Sequence, residues 1–297
     1  MEGVIAAVPT PVDGTGRPQR APFLEHCAWA LENGCHGLNI LGSTGEASSL
    51  DTASRRQVMA WAAEALDIRR LMVGTGTPSL AETIALTAHA DDLGYSVALV
   101  LPPFYYTPPS PEGLIAWYEA LHQALGGRKI AVYFYNYPQM TGFALPAQVI
   151  ETLHRAHPER FRGIKDSSGD LGYCRALSAA LPDLRVFPSS ETSLGGAAAS
   201  GFAGCISATA NISTPLCRAL WDGRSTPEPA LAEAIATIRQ TVAAQPLIPA
   251  VKYLTGRRSG DPGWDNVLPP FLPLPPDARR QLDSIEITAP ARAAETV

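Results

Sequence analysis

Lysine is scarce in this chain of 297 residues: Lys129, Lys165 and Lys252 stand against twenty arginines. Arg keeps its proton in a protein, whereas a desolvated Lys can release it and become a nucleophile, so amine chemistry is confined to three positions. Five cysteines (Cys27, Cys35, Cys174, Cys205, Cys217) are odd in number, scattered and never spaced Cys-x-x-Cys. That excludes a disulfide framework or a thiolate zinc site and fits reduced, structural thiols. Six histidines (His26, His36, His89, His122, His154, His157) have no ligand spacing and mostly fall on helical patterns, so no metal site is expected. A net charge of −5 with no basic cluster argues against a nucleic-acid surface. No apolar stretch is long enough to span a bilayer, and the first residues carry Glu2 rather than an apolar leader. No signal peptide is therefore expected, and the protein is expected to be soluble and cytoplasmic.

What is present is an ordinary globular balance, 46% apolar and 17% charged. Eight short apolar runs recur: Val4–Val8, His36–Leu41, Leu71–Gly74, Val97–Leu101, Ile130–Asn136, Phe161–Asp166, Arg185–Ser189 and Gly204–Thr209. Continuous runs of this length suit strands covered on both faces, as in parallel sheets. Amphipathic patterns such as Pro22–Asn33, Thr52–Leu66, Leu80–Leu93 and Leu114–Leu125 lie between them. Strand and helix repeated eight times predict an α/β fold of the (β/α)8 TIM-barrel type. A doubly wound sheet usually has a Gly-rich phosphate loop after its first strand, and here that place reads Pro9-Thr10-Pro11-Val12-Asp13-Gly14. Beyond Asn211 the pattern is helical over Thr214–Trp221, Pro229–Ala244, Pro249–Thr255 and Pro276–Ile285. Residues 1–222 are therefore expected to form the barrel, and residues 223–297 a C-terminal helical extension packed on its outside.

In such a barrel, chemistry collects on the loops after the carboxyl ends of the strands. The second run is followed by Gly42-Ser43-Thr44-Gly45-Glu46, whose backbone N–H groups and hydroxyls suit a carboxylate, although the same residues also make turns and helix caps. The fourth leads into the stiff, aromatic Pro102–Pro109 loop, and the fifth puts the Tyr135 phenol, a candidate proton carrier, at the mouth. The sixth ends in Lys165, ahead of a Ser-Ser-Gly turn. Taken alone, that is the pattern of a lysine snorkelling to solvent. The seventh brings Ser190 and the Glu191 carboxylate to the same rim. An amine, a phenol and an anion turn together are the parts needed to form a Schiff base with a 2-keto acid, the imine then serving as electron sink. This convergence favours Lys165 as the nucleophile, by a route that needs neither a metal nor any cofactor beyond the covalent imine.

Five segments carry a family resemblance: Gly42–Glu46, Tyr135-Asn136-Tyr137-Pro138 with Thr141-Gly142, Gly163-Ile164-Lys165-Asp166, Ile206–Asn211, and Ile248–Tyr253. In order and spacing, from about residue 3 to residue 285, the chain resembles the pyruvate-dependent class I aldolase and lyase family. That family includes dihydrodipicolinate synthase, N-acetylneuraminate lyase and 2-keto-3-deoxygluconate aldolase. The resemblance implies that Lys165 forms the imine with pyruvate and that Tyr135 is the proton shuttle. It further implies that Ser43 and Thr44 bind the pyruvate carboxylate, that Thr44 aligns Tyr135, and that Ile206 lines the pocket. Tyr105, in a loop one residue longer than usual, matches the aromatic that members lend to a neighbouring subunit, which implies a homotetramer built from dimers. Lys252 looks structural.

Departures from the family pattern point to the substrate. Met140 stands where dihydrodipicolinate synthase has an arginine for the aldehyde's carboxylate, and Met makes no bidentate ionic contact. Ser190-Glu191 stands where neuraminate lyase has an Asp-Glu pair, and Ala208 where it has a serine. Glu191, Ser167 and Ser190 remain as candidate partners for the hydroxyls of a shorter polyol, with helix capping as the other reading of the serines. The expected activity is reversible cleavage of a 2-keto-3-deoxy sugar acid to pyruvate and an aldehyde. The alternatives are dehydration of such an acid, condensation of pyruvate with aspartate semialdehyde, and non-catalytic keto-acid binding on the same fold.

Overall fold

Short strands this apolar need cover on both faces, and the chain supplies it by closing them into a ring inside a shell of helices. The computed structural model describes residues 1–286. Its strands are β1 (Gly3–Ala7), β2 (Gly37–Ile40), β3 (Leu71–Gly74), β4 (Val97–Val100), β5 (Ala131–Asn136), β6 (Phe161–Asp166), β7 (Arg185–Pro188) and β8 (Gly204–Ser207). Each lies within two residues of its apolar run at either end. Pairing is parallel and sequential from β1 to β7, β8 pairs with β1, and the Ala203 N–H donates to Val186 O at 2.9 Å between β7 and β8. The fold is a (β/α)8 TIM barrel with additional C-terminal helices. Alternate side chains split accordingly, Val4 and Ala6 packing under the helices while Ile5, Met72, Leu99, Tyr133 and Phe187 fill the interior.

The shell comprises α1 (Arg20–Glu32), α2 (Thr52–Ala65), α3 (Leu80–Asp92), α4 (Pro111–Leu125), the single-turn α5 (Pro138–Thr141), α6 (Ala147–Ala156), α7 (Leu171–Ala180), the single-turn α8 (Ala197–Ser200) and α9 (Ala210–Asp222). Asp51, Ser79, Ser110 and Asp170 cap α2, α3, α4 and α7, each side chain accepting a first-turn backbone N–H. Helix α9 begins four residues before the expected Thr214. Pro215 reads as a helix start, yet it lies inside the helix because Ser213 leaves helical geometry (φ −95°, ψ 18°) just ahead of it.

The extension consists of α10 (Pro229–Ala243), α11 (Leu247–Ser259) and α12 (Pro276–Leu282). Val242, Val251, Leu254 and Leu282 bury a common apolar face with Ile212 of α9. It does not stay on the outside: Arg239 of α10 and Leu247 and Ile248 of α11 reach the cavity at the carboxyl-end rim. Residues 287–297 of the expected extension lie outside the described ones. Among the described residues no helix is long and apolar enough to cross a membrane.

Candidate active site

Strand register builds the centre of the site. Tyr135 on β5 is the ladder partner of Lys165 on β6, and Lys165 is the partner of Phe187 on β7, so the three stand at one level. Lys165 is 4% exposed, and its Nζ lies 4.4 Å from the centroid of the Tyr135 ring, within cation–π range. The Tyr135 hydroxyl is 3.5 Å from Ser43 Oγ, at the long end of hydrogen bonding, and Tyr137 stacks on its ring at 5.6 Å. Burial, and then the proximity of Tyr135, raises the Tyr137 phenol above its ordinary pKa. One residue further along, Asn136 Nδ2 donates to Asp166 Oδ2 at 2.6 Å, while Asp166 Oδ1 accepts the Ser168 N–H and hydroxyl at 3.1 and 2.7 Å. This staple between β5 and β6 keeps Tyr135 and Lys165 level.

The turn after β2 is a 3-10 helix over Ser43–Gly45, flanked by Leu41 (φ 52°) and Glu46 (φ 54°) in the left-handed region. Such residues cost about 1–3 kcal/mol each and persist only where their surroundings hold them. Here β3 passes close beneath, since a side chain on Gly74 would come within 2.2 Å of Leu41 O, so that position is closed to anything larger than glycine. On the other flank the buried Glu46 carboxylate accepts the Leu268 N–H at 2.6 Å and pairs with buried Lys252 of α11. Lys252 also donates to Asn266 O at 2.7 Å, and desolvation lowers its pKa against the pull of Glu46.

A cavity of about 360 Å³ opens above this centre. Of the residues singled out in the sequence, Lys165, Tyr135, Ser43, Thr44, Ser167, Met140 and Ile206 line it. Adjacent side chains of a 3-10 turn project in different directions, and the hydroxyl beside Tyr135 is that of Ser43, where the resemblance implied Thr44. Tyr105 stands apart, 76% exposed and edge-to-face with Tyr106 at 5.2 Å. Ser190 caps the turn after β7, accepting the Thr192 N–H at 3.3 Å, and Ser189 takes the place at the wall.

Glu191 is placed differently from expectation. It is fully buried behind the wall, where its carboxylate takes a 2.5 Å bond from Ser207 Oγ, another from Thr209 Oγ1, and an ion pair with Arg239 at 3.0 Å. A buried carboxylate has to be matched in this way, and once matched it is not open to a polyol. Arg239, which the sequence reading did not single out, lines the cavity in its stead, with Leu247, Ile248 and Phe271. Only the Ile248–Tyr253 segment hinted that the extension approaches the site. Among the described residues no cluster of three or more His, Cys, Asp or Glu side chains is arranged to hold a metal ion.

With this geometry in hand, the model of the dihydrodipicolinate synthetase family matches residues 1–288. A relative from Chloroflexus aurantiacus, described as an uncharacterized DapA-like lyase, is 35% identical over 221 residues, 74% of each chain. A 4-hydroxy-tetrahydrodipicolinate synthase from Rhodospirillum centenum is 34% identical over 227 residues, 75% of each chain. Among solved structures, dihydrodipicolinate synthase from Agrobacterium tumefaciens str. C58 has a TM-score of 0.87 at 28% identity, covering 95% of this chain and 97% of that one. The prophage protein YagE from E. coli K12, solved in complex with pyruvate, has a TM-score of 0.86 at 26% identity, covering 95% and 96%.

Proposed function

The chain belongs to the dihydrodipicolinate synthetase family of pyruvate-dependent lyases, and from that premise we propose that it cleaves a 2-keto-3-deoxy sugar acid reversibly through a Lys165 imine. One observation carries the reading: the chain's buried barrel-mouth lysine stands level with Tyr135, 4.4 Å from its ring, on the wall of a cavity that also holds Ser43 and Thr44. In this reading the substrate carboxylate sits against the Ser43–Thr44 turn, which leaves the keto carbon facing Lys165 Nζ. The neutral amine adds to that carbon, its proton passes to the oxygen, and with uptake of one further proton water departs, giving an iminium. Loss of the C4 hydroxyl proton then releases the aldehyde, as the C3–C4 bonding pair moves into the iminium to form an enamine. Protonation of C3 and hydrolysis return pyruvate and the free lysine.

Tyr135 is the proposed proton carrier in these steps, with Ser43 Oγ as its neighbour in the relay. Tyr105, exposed in the single chain, is the proposed aromatic lent to a neighbouring subunit of a homotetramer built from dimers. The names of relatives favour a second reading, condensation of pyruvate with aspartate semialdehyde. Against it, Met140 lines the cavity where a cation would hold that aldehyde's carboxylate. Dehydration of the same sugar acid would pass through the same enamine.

Borohydride reduction in the presence of pyruvate tests the nucleophile. Mass spectrometry should find a reduced pyruvyl adduct on Lys165, and a folded Lys165→Ala protein should give none. Labelling of that variant to the wild-type extent would remove Lys165 from the mechanism. A panel of keto-deoxy acids, followed for both pyruvate and semialdehyde, separates cleavage from dehydration.

A further inference from the structure

Arg239 is the single guanidinium on the cavity wall among the described residues, and it arrives from α10, on the β7–β8 side rather than beside the turn after β2. Its Nη1 is fully engaged, donating to Glu191 Oε2 at 3.0 Å, Thr209 Oγ1 at 3.1 Å, Ser207 Oγ at 3.3 Å and Ser189 O at 3.5 Å. Nε and Nη2 have no hydrogen-bond partner among the described residues, and the side chain remains 28% exposed. Those two nitrogens lie side by side on one edge of the planar group, the edge that meets both oxygens of a carboxylate in parallel N–H···O bonds.

We infer that Arg239 selects a substrate carrying a second carboxylate at the end remote from the keto group, a 2-keto-3-deoxy diacid. The inference rests on the imine reading for the placement of the keto group at Lys165. Glu191 does not cancel the site. It binds on the Nη1 side, its charge is shared with the hydroxyls of Ser207 and Thr209, and the contact fixes the guanidinium so that little order is lost on binding. A single substrate hydroxyl would occupy one donor of the open edge and leave the other unmatched, whereas a carboxylate satisfies both.

The test uses three six-carbon 2-keto acids that differ only at the far end: 2-oxoadipate, 6-hydroxy-2-oxohexanoate and 2-oxohexanoate. Each competes with radiolabelled pyruvate for borohydride trapping on the full chain, and the readout is the ratio of half-inhibitory concentrations within one protein. Wild type should favour 2-oxoadipate by roughly tenfold or more, the scale of a charge-assisted pair. The ratio should fall to within about twofold in Arg239→Met/Glu191→Gln, which leaves no buried charge unpaired. It should fall at least partway in Arg239→Lys, which keeps the cation without the fork and serves if the double variant does not fold. Equal inhibition by all three acids in wild type, a hydroxyl-ended acid as potent as the diacid, or a preference that survives in the variants overturns the assignment. If wild type forms no pyruvate adduct, the imine reading has failed. Calorimetric titration with the same acids then judges Arg239 alone, equal affinities overturning it.

Discussion

Tyr135 is held by contacts of three kinds: Lys165 Nζ faces its ring, Tyr137 stacks on it, and Ser43 Oγ stands by its hydroxyl. Only the last depends on the phenolic oxygen, so Tyr135→Phe isolates the proposed relay from the packing. The ring is 3% exposed and its volume is unchanged, so thermal stability should shift by no more than about 1 kcal/mol. Turnover should fall about 10²–10⁴-fold, the usual worth of a positioned proton carrier, while borohydride still traps pyruvate on Lys165 at a reduced rate. Steady-state assays and single-turnover trapping check the two halves, and an unchanged kcat removes Tyr135 from the relay. Tyr135 and Lys165 were legible in the sequence because both end short apolar runs, and strand register does the rest. Glu191 was not, because its burial is decided by Arg239, forty-eight residues away in the chain. A local pattern reads a carboxylate at a strand end as open, and only the fold says what covers it.

The turn after β2 closes its own hydrogen bonds, Gly45 N–H to Gly42 O at 3.0 Å and Glu46 N–H to Ser43 O at 3.1 Å, and is also held between two elements. Strand β3 closes beneath it at Gly74, and α11 fastens Glu46 through Lys252 and, by way of Leu268, the connector that follows α11. Breaking a buried pair by removing one partner leaves an uncompensated charge, typically at about 3–5 kcal/mol. Lys252→Met should therefore lose about that much in urea unfolding. It should also raise the KM for pyruvate, since the Ser43–Thr44 turn loses the clamp on its left-handed flank. Lys252→Met/Glu46→Gln should recover part of the stability. A loss no larger than about 0.5 kcal/mol, the scale of a surface change, would show that the pair does not hold the turn. At this scale the strands were readable because runs buried on both faces announce themselves. The start of α9 was hidden by Pro215, whose ring fits only because the helix bends at Ser213. The reach of α10 and α11 into the mouth left no mark in periodicity, since it depends on how their apolar faces meet Ile212 of α9.

Across the whole molecule, the barrel's first helix, its last helix and the extension meet at His26. The residue is 1% exposed on α1, its Nε2 is 2.8 Å from Asn211 Oδ1 on α9, and its Nδ1 is 3.2 Å from Arg258 Nη2 on α11. Asn211 Nδ2 donates to Ala7 O and Ala208 O, which leaves its Oδ1 as an acceptor, so Nε2 carries the proton and Nδ1 accepts from the guanidinium. Protonating Nδ1 would point a new N–H at a cation inside a shell that includes Trp29 and Trp264. Burial first, and Arg258 second, accordingly lower the His26 pKa from 6.5 to about 3. In the unfolded chain the imidazole takes up its proton below about pH 6.5, so between that pH and about 3 the unfolded state binds more protons and acid favours it. The stability contribution is complete above pH 6.5 and is lost, at somewhat over 1 kcal/mol per pH unit, as the pH falls towards about 3. His36, half-buried and also lowered mainly by desolvation, adds a smaller loss of the same sign. Between pH 6.5 and 5 most carboxylates have yet to titrate, so the imidazoles dominate the slope there. Urea unfolding across that window should show wild type losing about 2 kcal/mol more than His26→Gln, whatever the variant's stability at pH 7. Parallel curves for the two proteins would place the proton uptake elsewhere and leave His26 as a packing residue alone.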